Sequence, residues 1–137
     1  MAFETHFLVR FAHVDPAGIV FYPRYFEMLS AATEDWFARS LGLDYREMHL
    51  EWKCGVPSVH METVFFAPSR LGDELVLRVR PLRVGNSSCL VEVLFLCGDE
   101  LRVRFEMTLV WTHFERMEAM PWPDEVKTAI KRQIDSK

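Results

Sequence analysis

The sequence predicts an α+β fold in which one antiparallel β-sheet wraps around a single long central α-helix, with a short helix near the C-terminus. One segment with strand-like alternation precedes a stretch of helical periodicity, and four alternating segments follow it. A sheet with one apolar face must bury that face, and only the long helix is large enough to cover it. The 137 residues, half of them hydrophobic, suit one domain covering residues 1–137.

The first strand and the long helix come first in the chain. Residues 3–11 alternate with a period of two, so one face of this strand is expected to be buried. The helix is predicted to begin at Pro23, because proline lacks the N–H that the first helical position leaves unbonded, and to stop at Gly42. The residues predicted to face the core are Thr5, Phe7, Val9 and Phe11 in the strand and Tyr25, Phe26, Leu29, Ala32, Trp36, Phe37 and Leu41 in the helix.

The rest of the chain is mostly strand. Four further strands, separated by glycine-containing turns, are predicted at about residues 56–67, 73–84, 88–97 and 100–114. The last strand alternates most clearly, which predicts an antiparallel sheet with one buried face. Pro121 and Pro123 end the strands, and residues 124–137 have the pattern of a short amphipathic helix. The residues placed on the buried face of the last strand are Leu101, Val103, Phe105, Met107, Leu109 and Trp111.

Composition and charge argue against several functional classes. The formal net charge is −4 and Lys and Arg are scattered, so no basic stripe predicts a nucleic-acid partner. No apolar stretch approaches the ~20 residues of a membrane helix, and the first residues lack a signal-peptide pattern, so a cytoplasmic location is expected. Cys54, Cys89 and Cys97 form no C-x-x-C pair and the histidines form no ligand pair, which predicts free thiols and no metal site.

Residues 15–25 carry the most informative motif in the chain, and they read Asp-Pro-Ala-Gly-Ile-Val-Phe-Tyr-Pro-Arg-Tyr. This block resembles the active-site segment of the 4-hydroxybenzoyl-CoA thioesterase family, in which an Asp-Pro-Ala-Gly-Ile-Val run leads into the central helix. The element order over residues 3–114 is also similar to that family, with weaker matches at residues 55–57 and 85–88. The resemblance implies the hotdog fold and hydrolysis of an acyl-CoA to a free acid and CoA.

The physical chemistry of this segment fits thioester hydrolysis. The carboxylate of Asp15 can attack the acyl carbon directly or deprotonate a water. The start of the helix offers free N–H groups to the charge that grows on the carbonyl oxygen, and Gly18 lets a ligand approach the backbone. By resemblance, the amide N–H of Tyr22 is the donor to the thioester carbonyl. An Asp before Pro can also be only a helix cap or a turn former, so both interpretations of Asp15 stay open.

Some positions differ from the family pattern. His13 stands where the family often has an acidic residue, so it either orients Asp15 or is a solvated loop residue. Ser30 and Val56 stand where the 4-hydroxybenzoyl enzyme has an Asp and a Thr that receive the phenolic hydroxyl. Because a buried hydroxyl without polar partners is penalised, a benzoyl-like or medium-length acyl group is expected here in place of the 4-hydroxy compound.

The nucleotide part of CoA carries phosphates, for which the resemblance implies a strand turn that is basic in the related enzyme. The equivalent turn here includes Arg83, which keeps a positive charge, followed by Asn86 and Ser87. Backbone N–H and hydroxyl groups there can bind phosphate, and a plain hairpin turn explains the Gly-Asn pair equally well. No cofactor is expected, since CoA is part of the substrate and the product.

Two other functions are compatible with a hotdog fold. An enoyl-CoA hydratase or dehydratase needs a His base, for which His13 is the candidate, and a non-catalytic module would only hold an acyl thioester. The intact motif at residues 15–25 favours the thioesterase. A single unit leaves a sheet edge and a shallow site uncovered, and family members form dimers or pairs of dimers. We therefore expect a homodimer or homotetramer with active sites between subunits.

Overall fold

The computed structural model describes residues 2–135, which form two sheets and two α-helices. The strands are β1 (Phe3–Leu8), β2 (Cys54–Gly55), β3 (Ser58–Phe65), β4 (Glu74–Val84), β5 (Ser88–Cys97), β6 (Glu100–Val110), β7 (Thr112–His113) and β8 (Glu118–Ala119). The α-helices are α1 (Pro23–Arg39) and α2 (Asp124–Asp135), and two short helical turns cover Phe11–His13 and Glu47–Glu51. The succession of one strand, one long helix and a strand meander follows the predicted order.

The large sheet has the strand order β1-β4-β5-β6-β3, and all neighbouring strands in it are antiparallel. This order leaves β1 and β3 at the two edges, while β2, β7 and β8 form the small sheet. Leu109 of β6 pairs with Cys89, near the start of β5, and with Ser58, at the start of β3. The β4–β5 hairpin and the start of β3 therefore lie at the same end of the large sheet.

The hydrophobic core lies between α1 and one face of the large sheet. The ring of Tyr25 is 5.5 Å from that of Phe95, and the ring of Phe26 is 5.2 Å from that of Phe105. Burial of each large apolar side chain contributes roughly 1.5–3 kcal/mol, so this contact fixes α1 against the sheet. The sheet side chains that are fully buried include Leu75, Leu77, Val79, Val91, Val93, Phe95, Val103 and Phe105.

Helix α2 completes the same core beside the C-terminal end of α1. The indole N–H of Trp36 donates to the side-chain oxygen of Gln133 at 2.9 Å, and the Gln133 amide also bonds Ser40. Val126 and Ile130 are buried in the core. The predicted terminal helix is therefore confirmed for Asp124–Asp135, and its last two predicted residues lie outside the described residues.

The structure confirms the predicted α+β class, and the last long strand follows its predicted alternation closely. Val103, Phe105, Met107, Leu109 and Trp111 are all at most 3% exposed. The predicted strand at 100–114 divides, however, because β6 ends at Val110 and the chain then enters the small sheet as β7.

Two further predicted boundaries are wrong. Phe11, predicted to be buried, is 82% exposed. The reason is that β1 ends at Leu8 and the chain turns into the short helix Phe11–His13, where a period of two no longer decides which side is buried. Helix α1 ends at Arg39, before Gly42, and Gly42 takes a left-handed φ of +75° in the turn that follows.

Candidate active site

Asp15 lies in a tight loop between β1 and α1. Its backbone N–H donates to the Ile19 carbonyl at 2.9 Å, and the Gly18 N–H donates to the Asp15 carbonyl at 2.9 Å. The carboxylate Oδ1 of Asp15 accepts the Ala17 N–H at 2.8 Å, and Gly18 has a φ of +79°, which glycine adopts without strain. Asp15 is therefore a turn former through Oδ1. Its other carboxylate oxygen, Oδ2, accepts no hydrogen bond from residues 2–135.

The start of α1 leaves the backbone N–H of its N-cap residue without a partner among residues 2–135. Pro23 has no N–H, the Arg24 N–H donates to the Phe21 carbonyl at 2.8 Å, and the Tyr25 N–H donates to the Tyr22 carbonyl at 3.1 Å. Tyr22 is the N-cap residue, and its own N–H has no acceptor within the described part of the chain. Together with the positive end of the helix dipole, this N–H is available to a ligand oxygen.

An apolar pocket of about 280 Å³ lies at the start of α1, and we call it the helix-start pocket. Tyr22 lines it, and so does Ile19, whose carbonyl accepts the N–H of Asp15. The full lining is Ile19, Val20, Tyr22, Tyr25, Phe65, Phe66, Ala67 and Pro68. The helix-start pocket is therefore an apolar surface that lies next to the loop of Asp15 and to the residue that carries the unbonded N–H, Tyr22.

Phe65 and Phe66 were not predicted to belong to a site. They stand at the end of β3 and are 50% and 52% exposed. Two adjacent side chains of a strand point to opposite faces, so the pair cannot be buried on one face of the sheet. The adjacent pair Phe65 and Phe66 was therefore the signal in the sequence that at least one of the two rings lies outside the core.

A second pocket, of about 240 Å³, lies beside the middle of α1, and we call it the helix-side pocket. It contains both Ser30 and Val56, the residues predicted to contact the acyl group, and Phe26, which is 37% exposed although it was predicted to be core. Burial, followed by the nearby Glu34, raises the pKa of Tyr45 above its ordinary range, so its hydroxyl keeps the proton. The full lining is Phe26, Leu29, Ser30, Thr33, Tyr45, Val56, Ser58, Met61, Met107 and Leu109.

The two pockets are separated along α1. Ser30 lies about 12 Å further along the helix axis than Tyr22, at a rise of ~1.5 Å per residue. Ser58, at the start of β3, lines the helix-side pocket, whereas Phe65, at the end of β3, lines the helix-start pocket. Within one chain, the pocket beside the Asp15 loop therefore lies at the end of β3, and the pocket with the predicted acyl contacts lies at its start.

The model of the thioesterase-like superfamily matches residues 9–130 of the chain. The chain belongs to the thioesterase-like superfamily. It is a thioester hydrolase, and its sheet around one long helix is the hotdog fold predicted above. A comparison with curated proteins gives no significant match.

Solved structures agree with this fold. A gentisyl-coenzyme A thioesterase is 28% identical to this thioesterase, with a TM-score of 0.82 over 90% of this chain and 98% of that one. A 1,4-dihydroxy-2-naphthoyl-CoA thioesterase from Synechocystis is 23% identical, with a TM-score of 0.85 over 96% of each chain. A Staphylococcus aureus protein solved in complex with CoA is 13% identical, with a TM-score of 0.91 over 100% of this chain and 86% of that one.

The predicted phosphate contacts Arg83, Asn86 and Ser87 lie at the far end of the sheet from Asp15. Arg70, just before β4, pairs with Ile19 of the Asp15 loop. From there β4 runs for 11 residues, about 36 Å, to the hairpin that carries the predicted phosphate contacts. The carbonyls of Asn86 and Ser87 accept N–H groups of Trp122 and Trp111 at 2.9 and 2.8 Å. The backbone here forms a hairpin turn, and a single thioesterase chain does not bring these residues to Asp15.

The imidazole of His13 is hydrogen bonded to its own turn and not to Asp15. Its Nδ1 accepts the Arg10 N–H at 2.9 Å, and its carbonyl accepts the Phe21 N–H at 2.9 Å. No hydrogen bond within residues 2–135 joins the His13 ring to the Asp15 carboxylate. The ring is therefore placed to stabilise the short helix before the loop, and no other residue was a candidate base for hydratase chemistry.

Other reactive groups are scarce among the described residues. Within residues 2–135, no group of three His, Cys, Asp or Glu side chains could hold a metal ion, and no helix there is long and apolar enough to cross a membrane. Cys54, Cys89 and Cys97 are free thiols. Burial raises the pKa of the Cys89 thiol to about 12 and also raises that of Cys54, so neither forms the thiolate that a cysteine nucleophile requires.

Proposed function

We propose that this protein is an acyl-CoA thioesterase in which Asp15 is the catalytic carboxylate and the Tyr22 N–H polarises the thioester carbonyl. One observation carries the proposal. Tyr22, whose helix N-terminal N–H has no partner inside the described chain, lines one apolar pocket together with Ile19, and Ile19 belongs to the loop that carries the Asp15 carboxylate, whose Oδ2 also has no partner there. A thioester needs both groups at once, because the attacked carbon must meet the nucleophile while its oxygen gains negative charge.

The reaction follows one of two routes from this arrangement. In the first, Oδ2 of Asp15 bonds to the acyl carbon, the C–S bond breaks, and CoA leaves as a thiolate that takes a proton from solvent. Water then cleaves the resulting anhydride into the free acid and the Asp15 carboxylate. In the second route, Asp15 takes a proton from a water that attacks the acyl carbon, the C–S bond breaks to release the free acid, and the CoA thiolate takes the proton back from Asp15 or from solvent. In both routes the Tyr22 N–H donates to the developing oxyanion, and no cofactor takes part.

We further propose that the working unit is a homodimer, or a tetramer of two dimers, joined along β3. This strand is a free edge of the large sheet, and Val59 and Phe65 on it are 63% and 50% exposed. A free edge of eight residues with apolar side chains is prone to pair with another strand. In an isologous dimer it pairs with its own copy across a two-fold axis.

Pairing of β3 with its own copy resolves the separation of the two pockets. Antiparallel pairing sets the start of β3 in one protomer beside the end of β3 in its partner. Since Ser58 lines the helix-side pocket and Phe65 lines the helix-start pocket, each helix-start pocket would meet the helix-side pocket of the partner. The acyl group would then extend from Asp15 of one protomer towards Ser30 and Val56 of the other.

The same geometry gives a role to the β4–β5 hairpin. This hairpin lies at the same end of the sheet as Ser58, with β6 between β5 and β3, at ~4.8 Å per strand spacing. In the proposed dimer that end approaches the partner's helix start. Arg83, Asn86 and Ser87 would therefore serve the active site of the partner protomer, where the CoA phosphates leave the acyl pocket.

The proposed acyl group is aromatic and benzoyl-like, or of medium length, without need of a 4-hydroxyl. The helix-side pocket is lined mainly by apolar side chains, and Val56 offers no hydrogen bond. Two of the similar solved structures are thioesterases of aromatic acyl-CoAs, the gentisyl and the dihydroxynaphthoyl compounds. A cytoplasmic location belongs to the same proposal, since acyl-CoAs and the free thiols both suit that compartment.

The substitution Asp15→Asn tests the proposal. Asn keeps an oxygen for the Ala17 N–H and caps about as well as Asp, so the loop is expected to hold while the rate of thiol release from acyl-CoAs falls ~10²–10⁴-fold. The matched control is Asp44→Asn, because the Asp44 carboxylate also accepts a backbone N–H of its own turn, that of Glu47 at 2.8 Å, and lines neither pocket. An Asp15→Asn protein with an unchanged melting temperature and the activity of the control would refute the proposal.

A further inference from the structure

The arginine Arg102, on β6, holds the segment that follows β3. One guanidinium nitrogen, Nη1, donates to the Pro68 carbonyl at 3.1 Å, to the Ser69 hydroxyl at 3.2 Å and to the Asp73 carboxylate at 2.8 Å. The backbone carbonyl of Arg102 also accepts the N–H of Phe66 at 2.8 Å. Side chain and backbone of one residue therefore fix both ends of residues 66–73.

Residues 69–73 in turn hold the loop of Asp15. The Val20 N–H donates to the Ser69 carbonyl at 2.8 Å, and the Leu71 N–H donates to the Gly18 carbonyl at 3.3 Å. Ile19 and Arg70 form an antiparallel bridge. A continuous chain of hydrogen bonds thus runs from the Arg102 guanidinium through this segment to the loop that carries the Asp15 carboxylate.

The position of Arg102 suits it to hold residues 66–73 and keeps its side chain out of both pockets. Its side chain is only 13% exposed, and it lines neither the helix-start nor the helix-side pocket. A guanidinium that is buried to this extent is stable only where its N–H groups are hydrogen bonded. Hydrogen bonds from Arg102 and then from the Arg70 N–H lower the pKa of Asp73, so the carboxylate stays ionised and the pair stays charged at neutral pH.

We propose that Arg102 is a positioning residue for thioester hydrolysis, which fixes the Asp15 carboxylate relative to the Tyr22 N–H through residues 68–73. The inference rests on the proposed catalytic role of Asp15. Misplacement of a reacting group by about 1 Å can cost ~10²-fold in rate. Because the Arg102 side chain itself lines neither pocket, its loss is expected to lower kcat and to leave KM nearly unchanged.

The test compares three variants with the wild type under steady-state conditions, well below the lowest melting temperature. Arg102→Met removes the guanidinium but keeps an apolar stem, and Arg102→Lys keeps the charge but replaces the planar guanidinium, whose Nε also donates to Glu100, by a single ammonium group. The control is Arg104→Met, because Arg104 stands on the same strand, is 40% exposed and pairs with Glu106 outside residues 66–73. We expect Arg102→Met to lower kcat about 10- to 100-fold with KM changed by less than about threefold, Arg102→Lys to lie between, and the control to match wild type.

Hydrogen exchange adds a local readout. In Arg102→Met the Val20 amide, bonded to Ser69, is expected to exchange faster while the amide of the core residue Val93 does not. A folded Arg102→Met variant with the kcat of the control, or with only a raised KM, overturns the inference. If Arg102→Met does not fold, Asp73→Asn takes its place, since Asn still accepts the Arg70 N–H at lower charge, and an unchanged kcat there also overturns it. A fully active Asp15→Asn protein would instead refute the proposed function, so the two failures are distinguishable.

Discussion

The two ends of the large sheet are built from different kinds of groups. At the helix-start end, residues 15–25 and 65–73, the proposed site depends on the backbone: at least four main-chain hydrogen bonds hold the loop that positions the Asp15 carboxylate, and the proposed oxyanion donor is the Tyr22 N–H. At the hairpin end, residues 56–58 and 83–88, the proposed ligand contacts are side chains, such as Val56 in the helix-side pocket and the exposed Arg83. The proposed chemistry and the proposed recognition are thus assigned to separate ends of the sheet, which would meet in the proposed dimer paired along β3.

This difference teaches how each end should respond to substitution. A site that depends on backbone groups needs a fixed geometry, because attack on the acyl carbon and stabilisation of the oxyanion must occur together. A site that depends on side chains can lose or gain one contact while the other contacts stay in place. Substitutions at the helix-start end are therefore expected to change kcat, and those at the hairpin end to change KM and substrate preference.

The largest effect in this comparison is expected from Tyr22→Pro, which removes the backbone donor itself. Tyr22 has a φ of −52°, within reach of proline, and its N–H bonds nothing in the described chain. The fold should therefore tolerate the change, while loss of an oxyanion donor lowers kcat about 10²- to 10³-fold. Tyr22→Ala, which keeps the N–H and loses the ring, is the control. Equal kcat values for the two variants would show that this N–H does not support the oxyanion.

A smaller effect is expected on substrate preference at the helix-side pocket. Wild type should hydrolyse benzoyl-CoA at least as well as 4-hydroxybenzoyl-CoA, since Val56 provides no hydrogen bond. Val56→Thr adds one polar partner and should shift the ratio of kcat/KM towards the 4-hydroxy compound by about tenfold, the effect of ~1.4 kcal/mol. A clear preference of wild type for the 4-hydroxy substrate would show that the acyl pocket is assigned to the wrong residues.

The smallest effect is expected at the hairpin. Arg83→Ala removes an exposed charge and should raise KM for acyl-CoA about two- to fivefold without change in kcat. The increase should shrink as salt is added, because exposed charges are screened. Arg46→Ala, which also removes an exposed arginine, is the control. A KM equal to that of the control at low salt would remove Arg83 from the CoA contacts.

How far each region could be predicted from the sequence follows from the same comparison. Asp15 and Tyr22 lie in one local segment, so the motif at residues 15–25 was enough to propose both as site residues. The alternation of β6 predicted its buried face because each of those side chains lies on one strand. Phe66 and Arg102 escaped prediction, since their contacts depend on strand pairing between distant segments. Phe11 was misplaced because alternation says nothing about where a strand ends.

The central claim, that one site takes its carboxylate from one protomer and its acyl pocket from the other, is open to a complementation measurement. Asp15→Asn lacks the carboxylate, and Val56→Trp fills the helix-side pocket, so each homodimer should be inactive. Co-expression with two different affinity tags and tandem purification isolates the mixed dimer, in which one of the two sites combines an intact Asp15 with an intact partner pocket. The predicted result is about half the wild-type kcat per dimer. Activity no higher than that of the inactive parents, in a folded mixed dimer, would contradict the account.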